Sequence, residues 1–140
     1  MRWRPWALGI LGFIAVILAI DWAIATKRMT RIDFEVSLDP PEVVADGQST
    51  TVVSVRVTEQ GVPRANDLLQ AWLATGSGRV LPTWMYTDED GRATIELTPN
   101  RYTPYDPQDK LELSVVDINI GRLVEVGAQE TVDIPLIKPQ

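Results

Sequence analysis

Hydrophobic and polar positions are laid out in two unlike ways along this chain. From Trp6 to Ile20 no residue is charged, whereas from Arg31 onward apolar and polar residues alternate in short bursts. The 22 residues from Pro5 to Thr26 carry a single charge, Asp21. As a helix rising 1.5 Å per residue they reach about 33 Å, enough for the ~30 Å hydrocarbon core of a bilayer. The pattern predicts a membrane anchor over residues 1–28, with lipid contact through 5–26, and a folded region over 29–140.

Within the folded region the period is two. Ile32, Phe34, Val36 and Leu38 alternate with Asp33, Glu35 and Ser37, as a half-buried strand requires. The same alternation recurs at Val53, Val55 and Val57, at Ala93, Ile95 and Leu97, at Leu111, Leu113 and Val115, and at Val132, Ile134 and Leu136. Two further runs, 67–74 and 79–86, are apolar on both faces or irregular, giving about seven strands. Turn signals separate them: Asp39-Pro40-Pro41, Asp46-Gly47, Gly61 to Pro63, Gly76-Ser77-Gly78, Asp90-Gly91 and the proline-rich loop 99–107. No segment after residue 28 reads as an amphipathic helix. The expected fold is all-β: an immunoglobulin-like β-sandwich of about seven strands, preceded by one N-terminal transmembrane α-helix. Trp72, in the third strand, is expected in the core, and Pro135 marks an edge or bulge in the last strand because it cannot donate a ladder hydrogen bond.

The ends of the apolar run are marked independently of hydropathy. Trp3, Trp6 and Trp22 fall where indole rings favour the headgroup level, and Arg2, Arg4, Lys27 and Arg28 flank the run. A second reading is a cleavable signal peptide, with Ala23-Ile24-Ala25 as the cleavage site. The length of the run and the crowding of that site by Asp21 and Trp22 favour retention. The basic residues nearly balance across the segment, so the N-in, C-out orientation rests on the short N-terminal tail and the secretory character of the segment. On a helical wheel Gly9, Gly12, Ala15, Ala19 and Ala23 share one face, which allows close approach of another helix, and Asp21 lies on the opposite side.

Composition narrows the chemistry. There is no His and no Cys, which removes the commonest general base, the commonest metal ligand, thiolate chemistry and disulfides. Net charge is −6; four of the 13 basic residues and one of the 19 acids precede residue 29, so the folded region carries 9 basic against 18 acidic groups. Such a surface argues against nucleic-acid partners and against docking of the domain on an anionic bilayer.

Particular residues carry a family resemblance. Ala45-Asp46-Gly47-Gln48-Ser49 leading into the Val/Thr alternation, Gly61-Val62-Pro63, and Thr87-Asp88-Glu89-Asp90-Gly91-Arg92-Ala93-Thr94 with Leu97 resemble the bacterial Ig-like modules of the invasin and intimin type. Transthyretin-like surface modules share the last element. The resemblance covers residues 40–98 and implies a sandwich acting as a spacer, adhesin stalk or partner-binding unit at a bacterial surface. It transfers no site residue.

Candidate sites are few. Asp88 and Asp90 are weak cation ligands, since position 99, where a calcium loop needs a late bidentate acid, is Pro. Five Ser residues have no His partner, and Lys27, Lys110 and Lys138 sit in no Ser–Lys motif. The expectation is therefore no enzyme and no cofactor. Trp84, Tyr86, Arg101, Tyr102 and Tyr105 form the richest set of interface-type residues and are the candidate protein-binding surface. On the helix, Gly12, Ala15, Ala19, Ala23 and Asp21 are the candidate packing residues. The expected function is a non-catalytic, membrane-anchored structural or protein-binding domain outside the bacterial cytoplasmic membrane. The alternative is an accessory subunit of a larger membrane complex or surface filament, in homo- or hetero-oligomeric form, and the third reading is a secreted domain released by signal cleavage, or a hydrolase.

Overall fold

The computed structural model describes residues 5–140; Arg2, Trp3 and Arg4, read above as the flank of the apolar run, lie outside the described residues. Among the described residues the chain forms one helix, α1 (Pro5–Met29), and ten strands. These are β1 (Ile32–Asp39), β2 (Val43–Val44), β3 (Thr51–Glu59), β4 (Val62–Pro63), β5 (Leu68–Thr75), β6 (Gly78–Leu81), β7 (Trp84–Tyr86), β8 (Arg92–Pro99), β9 (Lys110–Asp117) and β10 (Ala128–Ile137).

The strands form two sheets. One runs β1-β3-β8-β6 with β4 added to β3, and the other runs β2-β10-β9-β5-β7. Each core sheet is antiparallel and only β2 pairs in parallel, with β10. The seven longer strands follow the immunoglobulin order, ABED in one sheet and CFG in the other. Five strands, β1, β3, β8, β9 and β10, match the alternation read from sequence, β5 falls on the run 67–74, β6 and β7 divide the run 79–86, and β2 and β4 are two-residue additions.

One expected strand, 79–86, is two. β6 pairs with β8 in the first sheet, whereas β7 pairs with β5 in the second. Pro82 lies between them; without an N–H it cannot extend the β6 ladder, and the chain crosses between the layers. Pro135 agrees with its edge reading. The Leu136 N–H donates to the Asp109 carbonyl on the β9 side, so the ring nitrogen of Pro135 faces the other side, before β2 begins.

The core is the inward face of the alternation. Val53, Val55 and Val57 of β3 and Ile95 and Leu97 of β8 meet Leu69, Leu111, Leu113, Val115 and Ile134 from the facing sheet. All are essentially sealed from solvent. Burying each such side chain contributes roughly 1.5–3 kcal/mol, which lets a domain without disulfides hold together. Trp72 contradicts its core expectation. In β5 the inward positions are Leu69 and Ala71, so Trp72 falls on the opposite parity and is 38% exposed on the outer face. At Gly91, φ is +72° and a Cβ would come within 2.5 Å of the Val57 carbonyl oxygen, so only glycine fits this turn.

Helix and sandwich are joined by Thr30 and Arg31 alone. The Arg31 N–H donates to the Arg28 carbonyl, the Thr30 hydroxyl donates to the Lys27 carbonyl, and the Gln60 N–H donates to the Arg31 carbonyl. The helix therefore runs into the first strand without a flexible linker.

Candidate interaction surfaces

Two regions bear on function: the junction between α1 and the base of the sandwich, and the outward aromatic residues. At the junction, Asp21, Ala25 and Arg28 stand at i, i+4 and i+7 on one helix face. All three engage the segment 118–127 that follows β9. The Asp21 carboxylate accepts the backbone N–H groups of Leu123 at 2.8 Å, Val124 at 2.9 Å and Arg122 at 3.4 Å. The sequence offered Asp21 as a candidate packing residue of the helix; its carboxylate closes a loop of its own chain, one hundred residues away.

Ala25 is buried against Ile120 and Ala128, with Met29, Ile32, Phe34 and Val126 around them. The fit leaves no room at Gly121, where a Cβ would stand 1.9 Å from the Val124 carbonyl oxygen and 3.6 Å from Ala25 Cβ. Beneath this small apolar cluster lies a chain of charges. Arg28 Nε and Nη2 donate to the two Glu59 carboxylate oxygens at 2.9 and 2.8 Å, a bidentate pair, and Nη1 donates to the Ile120 carbonyl at 3.0 Å. Glu59 also accepts from Arg64 Nη1 at 2.7 Å. Held by two guanidinium groups, with Arg28 the stronger influence, the Glu59 carboxyl falls to about 2.

Arg64 continues the network inward. Its Nε donates to Asp117 Oδ2 at 2.9 Å and pairs with Asp67. Asp117 is fully buried, and burial, aided by Asp67 and opposed by the Asn119 N–H and Arg64, pushes its carboxyl up to about 6. The Thr87 hydroxyl fixes this corner by donating to the Arg64 carbonyl at 2.6 Å and accepting the Asp67 N–H at 2.8 Å. Sequence reasoning missed Glu59, Arg64, Asp67 and Asp117, because nothing in the local pattern separates a buried ion network from solvated charges. The i, i+4, i+7 spacing of Asp21, Ala25 and Arg28 was the one readable signal.

The expected aromatic surface is split. Trp84 pairs with Gln70 and Tyr86 with Leu68, placing both on the outer face of the second sheet at its β7 edge. Trp72, across from Ser114, faces the same side two residues along β5. Arg101 and Tyr102 lie toward the opposite end, where the Tyr102 N–H donates to the Ala45 carbonyl and Lys138 Nζ stands 5.1 Å from the Tyr102 ring centroid. Counted along β9, the Trp84 row at Val116 and the Lys110 end are about 20 Å apart at 3.3 Å per residue. Tyr105 is 99% exposed at the tip of the proline-rich loop. The structure thus joins Trp84 and Tyr86 with Trp72, a residue not expected there, and leaves Arg101, Tyr102 and Tyr105 apart.

On α1, Gly12, Ala15, Ala19 and Ala23 are exposed. By helical angle they lie opposite Asp21, Ala25 and Arg28, facing away from the sandwich. Asp88, one of the weak cation candidates, has a turn to hold: its Oδ1 accepts the N–H groups of Asp90 and Arg92 at 2.9 and 2.8 Å. Among the described residues no three acidic side chains gather into a cation site.

The fold has known relatives in structure. The C-terminal 282-residue fragment of intimin, solved with the intimin-binding domain of the translocated intimin receptor, matches with a TM-score of 0.56 at 21% identity, over 75% of this chain and 32% of that one. The D0–D1 domain of intimin matches with a TM-score of 0.53 at 22% identity, over 76% and 49%. The D00–D0 domain matches with a TM-score of 0.52 at 20% identity, over 73% and 45%. This chain spans between a third and a half of those chains. No family model matches it, and no curated protein does. At these identities the likeness is one of fold: the chain is an Ig-like β-sandwich similar in structure to the intimin domains, joined to an apolar helix.

Proposed function

We propose that the chain is a membrane-anchored, extracytoplasmic Ig-like domain that binds other proteins and has no catalytic role. The observation that carries this reading is the junction. An apolar helix with no core of its own to fill is locked by Asp21, Ala25 and Arg28 into a rigid stalk beneath the sandwich. Removing the segment by cleavage after Ala25 would strip Asp21 from three backbone donors and uncover Ile120, which favours a retained anchor over a signal peptide. In this reading residues 1–28 are the anchor and 29–140 the displayed domain, in the N-in, C-out topology that the secretory character of the apolar segment favours.

Trp84, Tyr86 and Trp72 supply the protein-binding surface: large, outward-facing aromatic side chains beside the free edge of a three-residue strand. Arg101, Tyr102 and Tyr105 form a second candidate at the membrane-distal end. A role as accessory subunit of a larger membrane complex is favoured by one further observation. The small-residue face of Gly12, Ala15, Ala19 and Ala23 points away from the sandwich and is open to a second helix.

Co-purification of partners from native membranes in mild detergent tests both readings with two variants. Loss of partners on Trp84→Ser with Tyr86→Ser assigns binding to the sandwich. Loss on Ala15→Leu with Ala19→Leu assigns it to the helix. Unchanged recovery with both sets would refute a protein-binding role for these surfaces.

A further inference from the structure

The cleft between α1 and the segment 118–127 is built at the depth of the membrane. The uncharged helical stretch from Pro5 to Ile20 is 16 residues. It covers about 24 Å, short of the ~30 Å hydrocarbon thickness by about four residues. The apolar span therefore continues to Ile24, whose side chain, like that of Trp22, is exposed. Asp21 lies within those last four residues, and the loop N–H groups that bind its carboxylate must share its level. Leu123, 63% exposed at the tip of that loop, is then presented to lipid and not to water.

Beside Leu123 the cleft has a volume of about 640 Å³, within the range of ligand-sized sites. Ile17, Ile20, Ile24 and Leu123 line its apolar side; Arg28, Arg122 and Asp21 line its polar side, the Asp21 carboxylate being taken up by the loop N–H groups. Arg28 is committed to Glu59 and the Ile120 carbonyl. The Arg122 guanidinium makes no ion pair among the described residues. A cation at the headgroup end of an apolar cleft fits one ligand chemistry: a phosphate with an acyl chain attached.

We propose that this cleft seats a phospholipid of the surrounding bilayer. Its phosphate rests on Arg122, its acyl chain lies along Ile17, Ile20 and Ile24, and Leu123 dips into the interface. The sandwich then lies directly against the membrane despite its acidic surface, because the contact is local and cationic. This inference rests on the anchored reading above.

The chain has no cysteine, so Leu123→Cys and, as a distal control, Tyr105→Cys each give a single attachment point for a polarity-sensitive fluorophore. The full-length chain is reconstituted in phosphatidylcholine–phosphatidylglycerol vesicles containing a lipid with a nitroxide near the top of its acyl chain. The label at 123 is expected to be blue-shifted and quenched several-fold, and the label at 105 to stay at background. Native mass spectrometry from mild detergent should find phosphatidylglycerol retained on the wild-type chain and about tenfold less on Arg122→Glu. A water-exposed, unquenched label at 123, or equal lipid retention in the two chains, overturns the proposal. So does a label that is shifted but unquenched because a second copy covers it. Alkaline extraction of the same vesicles separates the two levels: release of the chain overturns the anchored reading and the lipid site together, whereas retention with an unquenched label overturns the lipid site alone.

Discussion

Replacing Arg64 with Met keeps most of the side-chain volume and removes the one cation shared by Glu59, Asp67 and Asp117. Asp117 is sealed from solvent and Asp67 nearly so, so the variant leaves two carboxyls facing each other in a low-dielectric corner. Breaking a buried pair in this way costs about 3–5 kcal/mol. The cost should depend on pH in a defined direction. In the wild type, burial raises the Asp117 carboxyl from 3.8 to about 6 in the fold. The folded state therefore holds its proton more tightly, and stability falls as pH rises from about 4 to about 6, by roughly 3 kcal/mol over two pH units. Glu59 acts oppositely: its depressed value gives stability that is present above its ordinary pKa and is lost as pH falls toward 2. Without Arg64 the Asp117 carboxyl moves further up, because the cation that opposes the effect of burial is gone. Between pH 5 and pH 8 the variant then loses more stability than the wild type, which loses about 1.4 kcal/mol. The deficit of the variant should therefore shrink on going from pH 8 to pH 5, by about 1.4 kcal/mol for each tenfold by which its proton is held more tightly than in the wild type. Urea unfolding of the full-length chain in detergent, followed by tryptophan fluorescence, measures this. Equal deficits at the two pH values would refute uncompensated carboxyls as the source of the cost.

Other outcomes follow from the junction and the surface. Gly121→Ala should destabilise the sandwich by about 1–3 kcal/mol through overpacking against Val124, whereas Gly12→Ala, which meets nothing, should leave its thermal midpoint unchanged. Asp21→Ala should remove hydrogen-exchange protection from the Leu123 and Val124 amides while those of Val53 and Leu113 keep theirs, because only the loop loses its acceptor. Trp84→Ser with Tyr86→Ser should shift unfolding by less than about 0.5 kcal/mol, since both side chains face outward; a larger loss would mean that they are packing residues and not a binding surface.

The sandwich was largely legible in the sequence because its signal is local. Period-two alternation at Val53–Val57 or Leu111–Val115 and Asp-Gly turns are properties of a few neighbouring residues. The failures occur where a decision depends on parity or partners. Trp72 and Leu69 sit in an equally apolar run, and only the register with β9 shows which one faces out. The run around Pro82 reads as one strand, although its halves belong to different sheets. The junction was the least legible part, because Asp21 and Leu123, or Arg28 and Glu59, meet across sequence separations that no local pattern encodes. The candidate aromatic residues were identified by type, but their grouping depended on which end of β9 each one neighbours.

The central claim is that the apolar helix stays on the chain and fixes the sandwich at the membrane. Intact-mass measurement of the chain in native membranes after alkaline washing tests it most directly. A species whose mass still includes the apolar segment 5–26 in the washed membranes, with little in the supernatant, is the predicted result. A soluble species lacking the residues up to Ala25 would contradict the account.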